Sequence, residues 1–129
     1  MTYRQFDPAD AMRMLRCDQT ELIALALHLL DHCHQAGDGL ELALVCGEWR
    51  GVNAILQKIR NGCAVLRADR ACELARELEH KSRRQTLEAA DLKSLAGALR
   101  DLAIELLRFV TDARSELSPA RAPTFALAA

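Results

Sequence analysis

The sequence has few of the residues that β-sheets and long loops require. Only 4% of its 129 residues are aromatic, and it contains three prolines and six glycines. Alternating apolar and polar runs, which are typical of half-buried strands, are nearly missing. Ala, Leu, Glu and Arg are frequent instead, as in helical bundles. We therefore expect one all-α domain, because this length buries a single core of moderate size.

The sequence also has no excess of either charge. Its 17 basic and 18 acidic residues leave a formal net charge of -1, which gives no electrostatic reason to expect binding to nucleic acid or to an anionic membrane. The longest apolar run, Leu22 to Leu30, contains His28 and is too short to span a bilayer. The first residues include Arg4 and Asp7 and show no apolar signal-peptide core. We expect neither a membrane segment nor a signal peptide.

The cysteines lack the pairing expected of disulfides or zinc sites. There are five of them, an odd number, and no two have C-x-x-C spacing. Most are therefore expected to be buried small hydrophobic residues in a reducing cytoplasm. They are Cys17, Cys33, Cys46, Cys63 and Cys72.

A short first helix is predicted at the N-terminus. Asp7 is a favourable N-cap, and Pro8 is tolerated in a first helical turn because its missing N–H has no intrahelical partner. The helix should end near Leu15 and cover one end of a bundle. The residues expected to face the bundle are Phe6, Ala11, Met14 and Leu15.

A second helix is predicted from about Gln19 to about Gln35. Asp18 and Glu21 have the spacing of a capping box. The inward positions are expected to be Leu22, Leu25, Ala26, Leu29, Leu30 and Cys33. The segment Ala36–Gly39 then contains two glycines, each of which costs about 1 kcal/mol inside a helix. Either the helix breaks there or it is locally weak, before an apolar pattern resumes from Leu40 to Val45.

The stretch from Glu48 to Leu66 is the most regular amphipathic helix in the sequence. At roughly 100° per residue, its apolar residues fall within about 40° of one direction. They are Val52, Ile55, Leu56, Ile59, Cys63 and Leu66. Gln57 lies about 140° away from this stripe and should face solvent. Its neighbours on adjacent turns are Arg50, Asn53, Asn61 and Ala64. A turn is expected around Arg67 and Ala68.

Two more helices complete the predicted bundle. The fourth should extend from Asp69, as its N-cap, to about Lys81, with Leu74 and Leu78 inward. Thr86 can cap the last and longest helix, whose apolar positions recur in steps of three and four. They are Leu92, Leu95, Leu99, Leu102, Leu106, Phe109 and Ala113. Residues 118–129 contain two prolines and no periodicity, which predicts a disordered tail. The expected fold is an antiparallel four-helix bundle with a short N-terminal capping helix.

Three histidines close together on the second helix need separate consideration. His28 and His32 are one helical turn apart and could share a face, but a helix places Cys33 away from that pair, and no second cluster completes four metal ligands. Solvated histidines are the simpler interpretation. The sequence contains no Ser-His-Asp order, Gly-rich phosphate loop or H-E-x-x-H motif. We predict no metal site, no cofactor and no catalytic residue.

The residues on both sides of Gln57 have a characteristic spacing. They are Glu48, Trp49, Ile59, Arg60, Ala68, Leu74, Leu78 and Glu79. Without a gap, this stretch resembles the histidine phosphotransfer (HPt) domain of bacterial phosphorelays, which has an acidic residue and Trp, then A-H-x-L-K-G, later L-G-A, and a helix that ends in L-E. The resemblance extends from about Phe6 to about Leu117. It implies an HPt-like four-helix bundle over residues 1–117 and a surface on which phosphorelay proteins dock.

Three positions depart from the family pattern. Gln57 stands at the place of the phosphoacceptor histidine, Asn61 replaces the glycine that lets a partner approach, and Arg67 replaces the glycine of L-G-A. Phosphotransfer needs a neutral imidazole nitrogen as its nucleophile, and a carboxamide nitrogen has no comparable lone pair. The resemblance therefore implies the fold and the docking surface without the activity.

The function expected from the sequence is a non-catalytic, pseudo-phosphotransfer protein. It would be a cytoplasmic monomer that binds a receiver domain or a sensor histidine kinase and modulates two-component signalling. The residues expected to contact that partner are Arg50, Asn53, Gln57, Lys58, Arg60, Asn61 and Ala64. Two alternatives stay open: a helical adaptor whose partner lies outside phosphorelays, and a phosphotransferase that uses His28, His32 or His34.

Overall fold

The computed structural model describes residues 3–117, and within this range the chain forms α-helices and no β-strand. The helices are α1 (Pro8–Leu15), α2 (Gln19–Val45), α3 (Trp49–Val65), α4 (Asp69–Arg83) and α5 (Ala89–Leu117). The all-α prediction is confirmed. The predicted tail, residues 118–129, lies outside the described residues. No helix in the described part is long and apolar enough to cross a membrane.

The first two helices begin where the sequence predicted. The Asp7 carboxylate accepts a hydrogen bond from the Asp10 N–H at 2.9 Å, and Pro8 occupies the first turn of α1. Asp18 and Glu21 form the predicted capping box, in which each side chain accepts a hydrogen bond from the backbone N–H of the other residue. These bonds satisfy N–H groups that have no partner inside a helix.

Helix α2 continues ten residues past the predicted end at Gln35, because tertiary packing compensates for the two glycines. Ala36 and Leu40 lie in the core on either side of them. Gly39 also lets α3 approach closely, since a Cβ at this position would be 3.4 Å from the Ile55 Cδ1 atom. The segment Ala36–Gly39 is therefore helical, and α2 ends at Val45, two residues before Gly47, which has a φ of +71°.

The starts of α4 and α5 differ from the prediction. Asp69 is the first residue of α4 and not its N-cap; Ala68 occupies the cap position, where no side chain makes a capping hydrogen bond. Thr86 does not cap α5, which begins at Ala89. Its hydroxyl instead donates to the Lys81 carbonyl oxygen at 3.2 Å. Thr86 thus helps to end α4.

Contacts between helices α2 to α5 form a closed ring, in which α2 packs on α3, α3 on α4, α4 on α5 and α5 on α2. Five of the six apolar residues predicted for α3 are fully buried, and Ile55 is half-buried. All seven apolar residues predicted for α5 are buried except Leu92, which is half-buried. One continuous core thus lies inside the ring.

The inward prediction was wrong for several residues nearer the surface. Met14 is 61% exposed, and Leu15 and Leu25 are also exposed. Leu30, Cys33 and Leu74, by contrast, are half-buried and pack against the core, so the inward prediction holds for them in part. Helical spacing alone does not decide how deeply such side chains are buried.

Helix α1 packs on α2 and is tied to the turn between α3 and α4 by an ion pair. The Asp10 carboxylate lies 2.8 Å from Nε of Arg67. The segment before α1 is held by an aromatic cluster, in which the ring centroids of Tyr3, Phe6 and Phe109 lie 5.2 to 5.8 Å apart. The N-terminal segment therefore covers the end of the ring where α5 finishes.

Candidate functional site

Helix α3 holds Gln57 rigidly on the surface. The opposite side of the helix is anchored by side chains with essentially no exposure, among them Leu56, Ile59 and Cys63. Gln57 itself is exposed. The predicted partner-binding residues that are also exposed are Arg50, Lys58, Asn61 and Ala64. These residues and Gln57 are called the Gln57 face below.

Two residues of the predicted set have a different environment. Asn53 is half-buried, and its Oδ1 atom is buried without a hydrogen-bond partner. Arg60 is directed toward α4, where its Nε atom donates to both carboxylate oxygens of Glu79 at 3.0 and 3.1 Å. Glu79 is only 5% exposed. Arg60 therefore compensates a buried charge within the protein.

The Gln57 face is basic. Helix α3 carries three basic residues and no acidic one, and Glu79 neutralises Arg60. Among the described residues, neither Arg50 nor Lys58 makes an ion pair. The face can therefore attract an acidic surface without first breaking an internal contact.

A groove of about 430 Å³ separates α2 from α3 beside the Gln57 face. It is called the α2–α3 groove and is lined by Leu25, His28, Leu29, His32, Lys58, Asn61, Gly62, Val65 and Leu66. Gly62 allows the two helices to approach here, because a Cβ at this position would be 2.7 Å from the Leu29 Cδ1 atom. Lys58 and Asn61 belong both to the groove and to the Gln57 face.

The groove brings His28 and His32 close to the predicted docking residues. His28 is exposed, whereas His32 is half-buried and its Nε2 atom is buried without a hydrogen-bond partner. His34 and His80 are exposed and do not line the groove. Within residues 3–117 no group of three or more His, Cys, Asp or Glu side chains could hold a metal ion.

The thiols near this interface are poor nucleophiles. Burial raises the pKa of Cys33 to about 11 and is the main reason that the pKa of Cys63 is about 12, with smaller contributions from Cys33 and Cys72. A thiol with such a pKa is almost entirely protonated at neutral pH, and the thiolate is the reactive form. Cys63 and Cys72 are buried, as the sequence predicted for most of the cysteines, whereas Cys17 and Cys33 are half-buried and Cys46 is exposed.

Sequence reasoning missed the groove. The spacing of His28 and His32 was visible, but their proximity to Lys58 and Asn61 depends on how α2 rotates against α3. No local sequence pattern gives that rotation. The partner of Arg60 was missed for the same reason, since Glu79 belongs to another helix.

Comparison of the chain with protein-family models, with curated proteins and with solved structures gives no match.

Proposed function

We propose that this protein is a pseudo-phosphotransfer module, in which α2 to α5 form an antiparallel, HPt-like four-helix bundle and α1 caps one end. It docks on a receiver domain or a sensor histidine kinase of a bacterial two-component system and transfers no phosphate. The observation that carries the proposal is Gln57, which is exposed at the centre of a firmly anchored helix at the position where the resemblance has the phosphoacceptor histidine.

Two further features support the proposal. Arg60 and Glu79 both match the family pattern, and they pair across α3 and α4 at 3.0 Å. Arg67 stands at the place of the glycine in L-G-A and has a φ of +58°, a backbone conformation that favours glycine. The backbone at this position is thus one that the glycine of the family pattern could adopt, although the residue has changed.

In the proposed mechanism, the protein acts by occupying the surface of its partner. An active HPt domain and this protein would compete for the same acidic face of a receiver, and the basic Gln57 face supplies the attraction. Because Gln57 offers no nucleophile, the bound receiver keeps or loses its phosphate by its own chemistry. We propose that the protein acts as a monomer in the cytoplasm, where its free thiols stay reduced.

The experiment uses the purified full chain with a histidine kinase, ATP and a panel of receiver domains. We expect at least one receiver or kinase to bind, and we expect the chain to take up no acid-labile phosphate. The variant Lys58→Glu should abolish that binding by reversing a charge on the Gln57 face. The matched control is Arg100→Glu, a charge reversal at an exposed position of α5, which should leave binding unchanged. Equal loss in both variants, or no binding to any receiver or kinase, would contradict the proposal.

A second candidate function is favoured by one observation. His28 is exposed and shares the α2–α3 groove with Lys58, so a phosphotransferase that uses His28 would have a cation beside its nucleophile. In the same experiment this function predicts acid-labile phosphate on the wild-type chain and none on His28→Asn. The control His34→Asn alters an exposed histidine outside the groove and should retain the phosphate. A partner outside phosphorelays, the remaining alternative, has no specific observation in its favour.

A further inference from the structure

The α2–α3 groove has the properties of a small-molecule site. Its volume of about 430 Å³ lies within the range of roughly 300 to 1,000 Å³ that is typical of ligand pockets. The apolar residues that line it come from both helices and are Leu25, Leu29, Val65 and Leu66. Leu25 and Val65 are 37% and 40% exposed, so an apolar ligand would cover side chains that now contact water.

The polar residues of the groove favour an anion. Lys58 supplies a positive charge, and His28, His32 and Asn61 supply hydrogen-bonding nitrogens. No Asp or Glu is among the residues that line the groove. A metal ion fits less well, since two imidazoles are too few ligands and the ammonium group of Lys58 would repel a cation.

His32 adds an independent reason to expect a ligand. Its Nε2 atom is buried and has no hydrogen-bond partner, and an unsatisfied buried polar atom is unfavourable unless a ligand, ion or water pairs with it. Hydrogen bonds to charged groups are the stronger ones. When the His32 ring turns its Nε2–H toward the groove, an oxyanion that accepts this hydrogen bond gains more than a neutral hydroxyl in the same place.

We propose that the α2–α3 groove binds a small amphipathic anion, namely a carboxylate or phosphate group attached to an apolar chain. The apolar chain lies on the leucines and Val65, and the anionic group contacts Lys58 and His32. This inference depends on the groove alone and not on the proposed docking function. Because Lys58 and Asn61 also belong to the Gln57 face, a ligand in the groove would compete with a docked partner.

The test is a ¹H–¹⁵N NMR titration of the full chain with four probes below their micelle concentrations: octyl phosphate, octanoate, octanol and octylammonium. We expect one or both anions to shift the backbone amides of the residues that line the groove. Octanol should bind at least about fivefold more weakly, and octylammonium should not bind there. Octyl phosphate and octanoate distinguish a phosphate ligand from a carboxylate. Octanol binding as tightly as both anions, or shifts confined to other surfaces, would overturn the proposal.

Three variants test the assigned residues. Lys58→Ala should weaken anion binding about fivefold more than octanol binding, because the lost charge acts on the anions alone, whereas the lost alkyl chain affects all the probes. His32→Leu keeps the bulk of the side chain and should weaken the anions more than octanol. The control Lys93→Ala removes an exposed lysine that lines a different groove, between α2 and α5, and should have no effect. If Lys58→Ala and Lys93→Ala have equal effects, the anion does not bind in the α2–α3 groove.

Discussion

Helices α1 to α4 all finish with a residue in the left-handed backbone conformation. After α2 this residue is Gly47, but after the other three it is Arg16, Arg67 or Gln85, with φ between 52° and 58°. At three of the four ends, the backbone N–H groups of the left-handed residue and of the residue after it donate to carbonyl oxygens of the last helical turn. For example, the Ala68 N–H donates to the Cys63 carbonyl oxygen at 2.8 Å. This is the Schellman arrangement, which usually contains glycine. A side chain at such a position costs about 1 to 2 kcal/mol.

Replacing Gln85 with glycine should therefore stabilise the protein. The left-handed strain would be relieved, and the greater freedom of glycine in the unfolded chain would offset part of that gain, which leaves about 0.5 to 1 kcal/mol. Urea denaturation measures the difference in the free energy of unfolding. The matched control is Arg84→Gly, because Arg84 has a φ of -86° and its replacement should destabilise. If Gln85→Gly and Arg84→Gly change the free energy of unfolding equally, the left-handed conformation of Gln85 carries no strain.

The ion pair of Arg60 predicts that neighbouring basic residues of α3 differ in their contribution to stability. Replacing Arg60 with methionine would leave the buried Glu79 carboxylate with only the exposed Arg83 guanidinium, 4.0 Å away. Loss of one partner of a buried pair typically costs about 3 kcal/mol. Lys58→Met alters an exposed residue without an ion pair among those described and should change the free energy of unfolding by less than about 0.5 kcal/mol.

A double variant separates the ion pair from other effects. If the cost of Arg60→Met comes from the unpaired carboxylate, then adding Glu79→Met should recover a large part of it, since two apolar side chains of similar bulk can replace a buried pair. Additive losses in the double variant would mean that Arg60 stabilises the protein through packing and not through Glu79.

At the scale of elements, α2 shows how packing overrides local propensity. Two glycines in Ala36–Gly39 weaken the intrinsic helical preference, and sequence spacing could not decide between a break and a weak helix. The outcome depends on contacts with α3 and α5, which bury Ala36 and Leu40. Such contacts are a property of the assembled fold, so the sequence alone left the question open.

Gly37 and Gly62 both lie inside helices, but replacing them with alanine should change the free energy of unfolding in opposite directions. A Cβ at Gly37 would meet nothing within 4 Å, whereas a Cβ at Gly62 would lie 2.7 Å from the Leu29 Cδ1 atom. Gly37→Ala should raise the free energy of unfolding by about 1 kcal/mol through helix propensity. Gly62→Ala gains the same propensity but must displace the buried Leu29, and overpacking typically costs about 1 to 3 kcal/mol. A stabilising effect of Gly62→Ala would show that Leu29 can move freely.

At the scale of the whole molecule, the sequence predicted the helices and their buried sides better than it predicted the relations between them. The apolar stripe of α3 and the seam of α5 follow from spacing within one helix, and the structure buries both. The Arg60–Glu79 pair, the α2–α3 groove and the attachment of α1 each join residues from separate helices. These features depend on how helices rotate against one another, and periodicity within a helix does not report that rotation.

The attachment of α1 should depend on pH. Asp10 accepts a hydrogen bond from Arg13, which is the largest cause of its lowered pKa, and pairs also with Arg67; desolvation opposes these effects. Because the pKa is lower in the folded state, the stabilisation is present above the unfolded value of about 3.9 and is lost as the pH falls through the folded value.

The variant Asp10→Asn tests this dependence. It should be less stable than the wild type in urea at pH 7, and the difference should shrink as the pH falls below the unfolded pKa of about 3.9 and through the lower folded pKa, where the wild-type carboxyl becomes neutral. Asp101→Asn, at an exposed position of α5 without an ion pair among the described residues, should match the wild type at both pH values. If Asp10→Asn is less stable than the wild type by the same amount at all pH values, the loss comes from changed packing or hydrogen bonding and not from the lost charge.

Under the proposed function, phosphate transfer to position 57 would depend on the surface around Gln57 as much as on the nucleophile. Gln57→His places an imidazole on a rigid, solvent-facing position. The structure leaves Lys58 to offset the phosphate charge, since Arg60 is held by Glu79. Asn61 lies one turn further along the same exposed face, and its side chain would hold a receiver away from the new histidine. Because reacting atoms must approach to about 3 Å, even a small displacement lowers the rate strongly.

The single variant should therefore accept phosphate weakly or not at all from a phosphorylated receiver, and Gln57→His combined with Asn61→Gly should accept more. Asn61→Gly alone, which has no nucleophile at position 57, is the control and should accept no phosphate there. Acid-labile phosphate on each purified variant, followed over time, compares them directly. If Gln57→His alone accepts phosphate as fast as the double variant, Asn61 does not obstruct a partner, and a histidine at position 57 is all that this surface lacks for phosphate transfer.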